Sequence, residues 1–162
     1  MIFIKAAAGS LMFISVSPII KSSISSILKG LQISSRKKEI LNSFVDAATG
    51  HAYRDAEAEA ASIFEDATGT TFRATLKTEA GDFVATTGKY ARKTFDHLGI
   101  PKEALSSFKM SEFKKSITSH FNKSVDFILL DVRFFNKAQK TEIFEYIDKT
   151  HLKDINRLIT LE

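Results

Sequence analysis

The stretch from Val125 to Val132 constrains this chain most, because it holds Phe127-Ile128-Leu129-Leu130 without a polar interruption. A short continuous apolar run reads as a strand buried on both faces, the habit of strands in parallel sheets. The residues downstream agree with that reading. Lys137 to Lys149 place Ile143, Phe144 and Ile147 at helical spacing, and Leu158-Ile159-Thr160-Leu161 supplies another short strand. Strand, helix and strand at this spacing predict a right-handed βαβ crossover with parallel strands.

Upstream, Ser111 is expected to cap a helix whose apolar positions are Met110, Phe113, Ile117 and Phe121, ended by Asn122. Before it the period is two. Phe72, Ala74 and Leu76 alternate with Arg73, Thr75 and Lys77, a half-buried strand with a cationic outer face. Glu79-Ala80-Gly81-Asp82 is a turn, and Phe83 to Thr87 form the return strand of a hairpin. Gly88 breaks this pattern, and residues 89–99 read as a short charged loop closed by Gly99-Ile100-Pro101. From Arg36 to Ala67 the period is helical, with faces at Ile40, Leu41, Phe44, Val45, Ala48 and at Tyr53, Ala56, Ala60, Ile63, Phe64. Gly50 is a natural stop between them and Thr68-Gly69 an end.

The fold class is therefore α+β: N-terminal helices followed by a small twisted sheet made of a hairpin and a C-terminal βαβ unit. Three parts are expected. Residues 1–35 form an apolar, Ser-rich appendage, either a packing helix or the remnant of a larger translocating protein. Residues 36–70 form a helical linker or scaffold, and residues 71–162 carry the function. In the appendage, the apolar run from Ala6 to Ile20 is broken by Ser10, Ser15, Ser17 and Pro18. It falls short of the roughly 20 clean apolar residues of a membrane span, and as a signal peptide it lacks a cleavage site. No stable membrane span is expected, although an amphipathic membrane element remains an alternative use of this segment.

At 162 residues, 44% hydrophobic and with 14 Phe, the chain has enough apolar material for one sizeable core. It has no Cys, which removes disulfides, thiol catalysis and Cys-ligated zinc. The net charge of +4 is unevenly spread. Residues 71–124 carry ten Lys or Arg against five acids, whereas residues 39–70 carry one Arg against seven acids. A basic middle beside an acidic segment points to a polyanion partner.

No phosphate-binding glycine loop, nucleotide fingerprint, GxSxG elbow or HExxH motif occurs. Acid–base chemistry by His, Asp, Lys and Thr is what remains. His51 and His151 lie at helix ends and read as surface residues. His120 sits on the shoulder of its helix beside the apolar stripe, and His97 lies in the charged stretch Lys93-Thr94-Phe95-Asp96-His97-Leu98-Gly99. Metal-free RNA cleavage needs a base for the 2′-hydroxyl, an acid for the leaving 5′-oxygen and cations around phosphorus. His120 or Asp96 is the candidate base or acid, Lys93 the electrostatic partner and Thr94 a hydroxyl donor to phosphate. Arg73 and Lys77 are candidates for flanking phosphates, with His97 ranked below them. Asp126 and Asp131 lie five residues apart and point to opposite faces of a regular strand. No Asp followed by a Glu-x-Lys strand appears, so no metal and no cofactor is expected. A non-catalytic interaction module with a basic face is the further alternative.

The segments GKYARKTFDHLG (88–99), FKKSITSHFNKSVDFILLDVRFFNKAQKTEIFEYID (113–148) and RLITL (157–161) resemble the C-terminal toxin domains of bacterial polymorphic toxins. The resemblance is to the contact-dependent growth inhibition kind, of the CdiA type. It rests on a Lys-Thr-aromatic-Asp-x-x-Gly loop, a helix ending in His, an Asp-flanked apolar strand, a helix and a last strand. It covers about half the chain, and no Val-Glu-Asn-Asn boundary precedes it. The resemblance implies an antibacterial ribonuclease, acting on tRNA, on a compact fold akin to barnase, EndoU, RelE and the colicin RNases. It also implies a cognate immunity protein and, for some such toxins, a host elongation factor as activator. Delivery would be from the surface of the producing cell into the target-cell cytoplasm. Lys93, Thr94, Asp96 and His120 are the matched positions.

Overall fold

The computed structural model describes residues 2–4, 31–45 and 50–162. Most of the apolar N-terminal stretch, on which the membrane alternative rests, lies outside the described residues. Among the described residues no helix is long and apolar enough to cross a membrane.

The elements run β1 (Ile2–Ile4), α1 (Leu31–Ser43), α2 (Asp55–Thr68), β2 (Phe72–Ala74), β3 (Phe83–Ala85), β4 (Thr94–Gly99), α3 (Met110–Phe121), β5 (Phe127–Asp131), α4 (Lys137–His151) and β6 (Leu158–Leu161). They build one mixed sheet in the order β1-β6-β5-β4-β3-β2. The strand β5 is parallel to both β4 and β6, whereas β1 pairs β6 antiparallel and the β2-β3-β4 side is antiparallel throughout. The α+β reading holds, and the parallel β5-α4-β6 unit lies where the apolar runs placed it. A second parallel unit, β4-α3-β5, stands beside it.

That second unit corrects the sequence reading, since the charged stretch 94–99 is a central strand rather than a loop. Its polar residues broke the apolar pattern, but sheet pairing on both edges satisfies its backbone. A smaller correction concerns α3. It starts at Met110 after Lys109, with no side-chain cap, so Ser111 lies inside the helix. The helix α4 is capped as its sequence allows, with Asn136 accepting from the Gln139 N–H and Gln139 bonding back to the Asn136 N–H.

Each face of the sheet carries its own core. On one, Phe72, Phe83, Phe95, Leu129 and Ile159 pack with Phe64 and Ala61 of α2 and Ile40 of α1. Phe64, Phe72, Phe95 and Tyr90 meet with ring centroids 4.9–5.6 Å apart, within the range of favourable aromatic pairs. On the other face, Leu98, Ile128, Leu130 and Leu158 pack under Phe113, Ile117 and Phe121 of α3 and Ile143 and Ile147 of α4. The period of two along β4 thus sends Phe95 and His97 toward α2, and Asp96 and Leu98 toward α3.

Candidate active site

The side chains of Asp96 and His120 come together on the α3 face of the sheet. Asp96 is fully buried. His120 stands in the last turn of α3, its Nε2 3.5 Å from Asp96 Oδ2. Lys123, three residues on, straddles the same carboxylate with Nζ 2.9 Å from each oxygen and donates to Oδ1. Oδ2 itself has no hydrogen bond of good geometry among the described residues. His120 Nδ1 lies 2.7 Å from the Ser116 carbonyl, so it is the Nδ1–H that donates there. The neutral ring therefore presents a bare Nε2 to Asp96 and to solvent. Burial lowers the pKa of His120 below that of a free histidine, against an opposing pull from the Asp96 charge.

Asp82 completes the group. It enters through Gly81, whose backbone has φ +84°, and a Cβ there would lie 2.5 Å from the Phe95 carbonyl. Only glycine permits so close a passage of the hairpin turn over β4. The Asp82 N–H then donates to that carbonyl, and its Oδ2 accepts from the His97 N–H at 2.7 Å. Burial, followed by the neighbouring Asp96 charge, pushes the Asp82 carboxyl up to about 7, near half-protonation at neutral pH. Two carboxyls, an imidazole and an ammonium are thus grouped where β4 meets the end of α3, the imidazole and ammonium more exposed than Asp96.

The remaining sequence candidates lie elsewhere. Lys93 and Thr94 both turn to Asp126: Nζ donates to Oδ1 at 2.8 Å, and the Thr94 N–H and hydroxyl reach Oδ2 at 2.9 and 3.1 Å. Burial works to raise the pKa of Asp126, but these contacts hold it below the usual carboxylate range. They fasten the loop before β5 to β4 and touch neither Asp96 nor His120. Arg73 shares the sheet face of Asp96, through the register Arg73–Val84–Thr94, but it is forked onto Glu79 of its own hairpin. Lys77 is exposed in the hairpin turn. His97 is buried on the opposite face, its Nε2 4.0 Å from Asp131 Oδ2 and without a hydrogen bond among the described residues. Its ring is enclosed rather than offered to a polyanion. Asp131 is forked by Arg133, which also reaches Glu59 of α2. Burial works to raise its pKa, but His97 and Arg133 hold it well below the ordinary carboxylate value. Among the described residues no cluster of three or more His, Asp or Glu is arranged as a metal site.

Sequence reasoning missed Asp82 and Lys123. Asp82 had the signal of an acid after a glycine in a hairpin turn, a position that reads as solvent-facing. Lys123 had only its three-residue spacing from His120, across a helix end.

The arrangement defines a class first: an α+β domain with acid–base residues where a central strand meets the end of a helix. The family follows from comparison with known proteins. The model of the CdiA C-terminal tRNase domain matches residues 55–161, and the chain belongs to that family. It is thus a ribonuclease toxin domain of the contact-dependent growth inhibition kind. Among solved structures it is similar to the CdiA-CT toxin from Burkholderia pseudomallei E479, solved in complex with its cognate CdiI immunity protein. The two are 24% identical, with a TM-score of 0.56 over 67% of this chain and 100% of that one. No curated protein sequence matches the chain.

Proposed function

We propose that this domain cleaves tRNA by metal-independent acid–base transesterification at the Asp96–His120–Lys123 group, and that a cognate immunity protein neutralises it. The observation that carries the reading is the meeting of His120 Nε2 and Lys123 Nζ on one buried carboxylate, with Asp82 beside it. Neutral His120 takes the 2′-hydroxyl proton at Nε2, and Asp96 steadies the imidazolium that forms. The 2′-oxygen then bonds to phosphorus as the P–O5′ bond breaks. The protonated fraction of Asp82 supplies the proton to the departing 5′-oxygen. Lys123 stabilises the charge gathering on the phosphoryl oxygens. The products are a 2′,3′-cyclic phosphate and a 5′-hydroxyl. Lys93 and Thr94 support this site through the Asp126 loop, as positioning residues. Delivery from a producing cell into the target-cell cytoplasm belongs to the same reading.

One observation favours a second reading. Asp82 is driven up partly by the Asp96 charge, and a divalent cation shared by the two carboxyls would relieve that repulsion. Water would then replace the 2′-hydroxyl as nucleophile. Purified protein incubated with total bacterial RNA in EDTA separates the two, beside His120→Ala and Asp96→Ala variants. Discrete tRNA fragments bearing cyclic phosphates, from the parent alone, support the acid–base reading. Cleavage that stops in EDTA, returns with Mg²⁺ and leaves no cyclic phosphate overturns it in favour of the cation. Cleavage that appears only after cell extract is added points to a host activator such as an elongation factor.

A further inference from the structure

A cleft of about 230 Å³ opens where the parallel strands begin, walled by Lys89, Tyr90, Lys93, Phe127, Asn156 and the start of β6. It is smaller than the pockets that take drug-sized ligands, and fits one planar ring system. Its walls combine three chemistries. Tyr90 and Phe127 meet edge to face at 5.3 Å and give an aromatic surface. Lys89 lies over the Tyr90 ring with Nζ 4.7 Å from the centroid, and among the described residues no carboxylate holds it. Asn156 is exposed, and its amide makes no hydrogen bond with the described residues.

The cleft, whose Tyr90, Phe127 and Ile159 belong to the α2 side of the sheet, is linked to the candidate active site by one short loop. Residues 122–126 lead from the end of α3, with Lys123, to Phe127 in the cleft wall. Arg157, next to Asn156, pins that loop by donating to the carbonyls of Phe121, Lys123 and Val125. From Lys123 to Phe127 the chain spans at most about 14 Å, within reach of a nucleotide flanking the scissile bond. We infer that this cleft is a nucleotide subsite: an unpaired base of the RNA lies against Tyr90 and Phe127, Asn156 reads its edge, and Lys89 holds its phosphate. The inference rests on the ribonuclease reading and adds to it the requirement for an unstacked base beside the cut. An aromatic wall with a cationic rim is the usual construction for a single-stranded base, and an amide supplies the donor and acceptor that stacking lacks.

The test uses the full chain carrying His120→Ala, so that binding is measured without cleavage. Asn156→Ala in that background should weaken tRNA binding about 3- to 10-fold at every salt concentration. Lys89→Ala should lower the slope of log affinity against log salt by about one, as loss of one phosphate contact does. A nucleoside 5′-monophosphate should shift the Tyr90 and Asn156 NMR resonances, whereas inorganic phosphate at the same concentration should move only those near Lys89. Affinity within twofold of the parent for both variants overturns the subsite. Equal shifts from inorganic phosphate overturn its base-binding half. If the cleft variants weaken binding while the parent chain cleaves no RNA, the subsite stands and the catalytic assignment falls. If the parent cleaves and the variants bind unchanged, the reverse holds.

Discussion

Asp96 and His97 are neighbours in one strand, yet the structure treats their two sides of the sheet in opposite ways. On the α2 side, the acid paired with the histidine is Asp131, and it is closed in: Arg133 forks it, Glu59 backs Arg133, and solvent is excluded from His97. On the α3 side, Asp96 has one hydrogen-bonded oxygen and one that meets charges without a proper bond. Its histidine holds a depressed pKa and its neighbour Asp82 a raised one. A network with every charge compensated serves the fold. One in which burial keeps the histidine neutral and holds a carboxyl near half-protonation is suited to moving protons. The same pair of residue types thus stands in two different electrostatic settings, fixed by what surrounds them.

Breaking the α3 side should be the larger effect on catalysis. His120→Ala removes the proposed general base, a role worth about 10²–10⁴ in rate, and kcat for tRNA cleavage should fall by that range with the circular dichroism spectrum unchanged. His97→Gln, on the closed side, should leave kcat within about tenfold. An equal loss from both variants would erase the distinction between the two faces. The closed side should dominate stability instead. Arg133→Met leaves the buried Asp131 without its cation, while Glu59 keeps Lys37, and breaking a buried pair in this way costs about 3–5 kcal/mol. Chemical denaturation reads that loss, while the folded fraction should retain its activity. Leu129→Ala, in the core between α2 and β5, should cost about 2–5 kcal/mol by leaving a cavity. It serves as a reference for loss of stability without loss of chemistry.

How far the sequence revealed this contrast depends on where each residue sits. The β5-α4-β6 unit was legible because strands covered on both faces must be apolar throughout. The strand β4 was not, because Thr94, Asp96 and His97 replace the apolar residues that would announce it. Its polar groups are tolerated because Asp126, Lys123, Asp82 and Asp131 meet them from other elements. The chemical type of Asp96 and His120 was enough to suggest their partnership. Their meeting depends on the β4-α3 crossover, which periodicity could not show while β4 read as a loop. Lys93 and Thr94 share with Asp96 one charged stretch and the loop that carries the family resemblance. In the fold their side chains contact Asp126.

The pH dependence of stability sharpens the comparison with the smallest effect. Asp82 binds its proton more tightly in the folded chain, with a value raised to about 7 from an ordinary 3.8. Between about pH 4 and 7 the unfolded chain has released that proton and the folded chain has not. This residue therefore favours folding at low pH, and its contribution is lost as pH rises toward and through 7. His120 acts in the other direction. Its folded pKa lies below the free value, so acidification below about 6.5 protonates the unfolded chain first and destabilises the fold. Each group changes stability by at most about 1.4 kcal/mol per pH unit, and where their windows overlap the two slopes cancel. Removing either group should expose the other. Asp82→Asn should leave a fold that gains stability as pH rises toward 6.5, and His120→Gln one that loses stability more steeply from pH 4 to 7. Thermal melts from pH 4 to 8 can follow both. A melting profile that keeps the parent's shape in the two variants would mean that the α3 side is as well compensated as the α2 side. The contrast between the two faces of β4 would then lose its electrostatic basis.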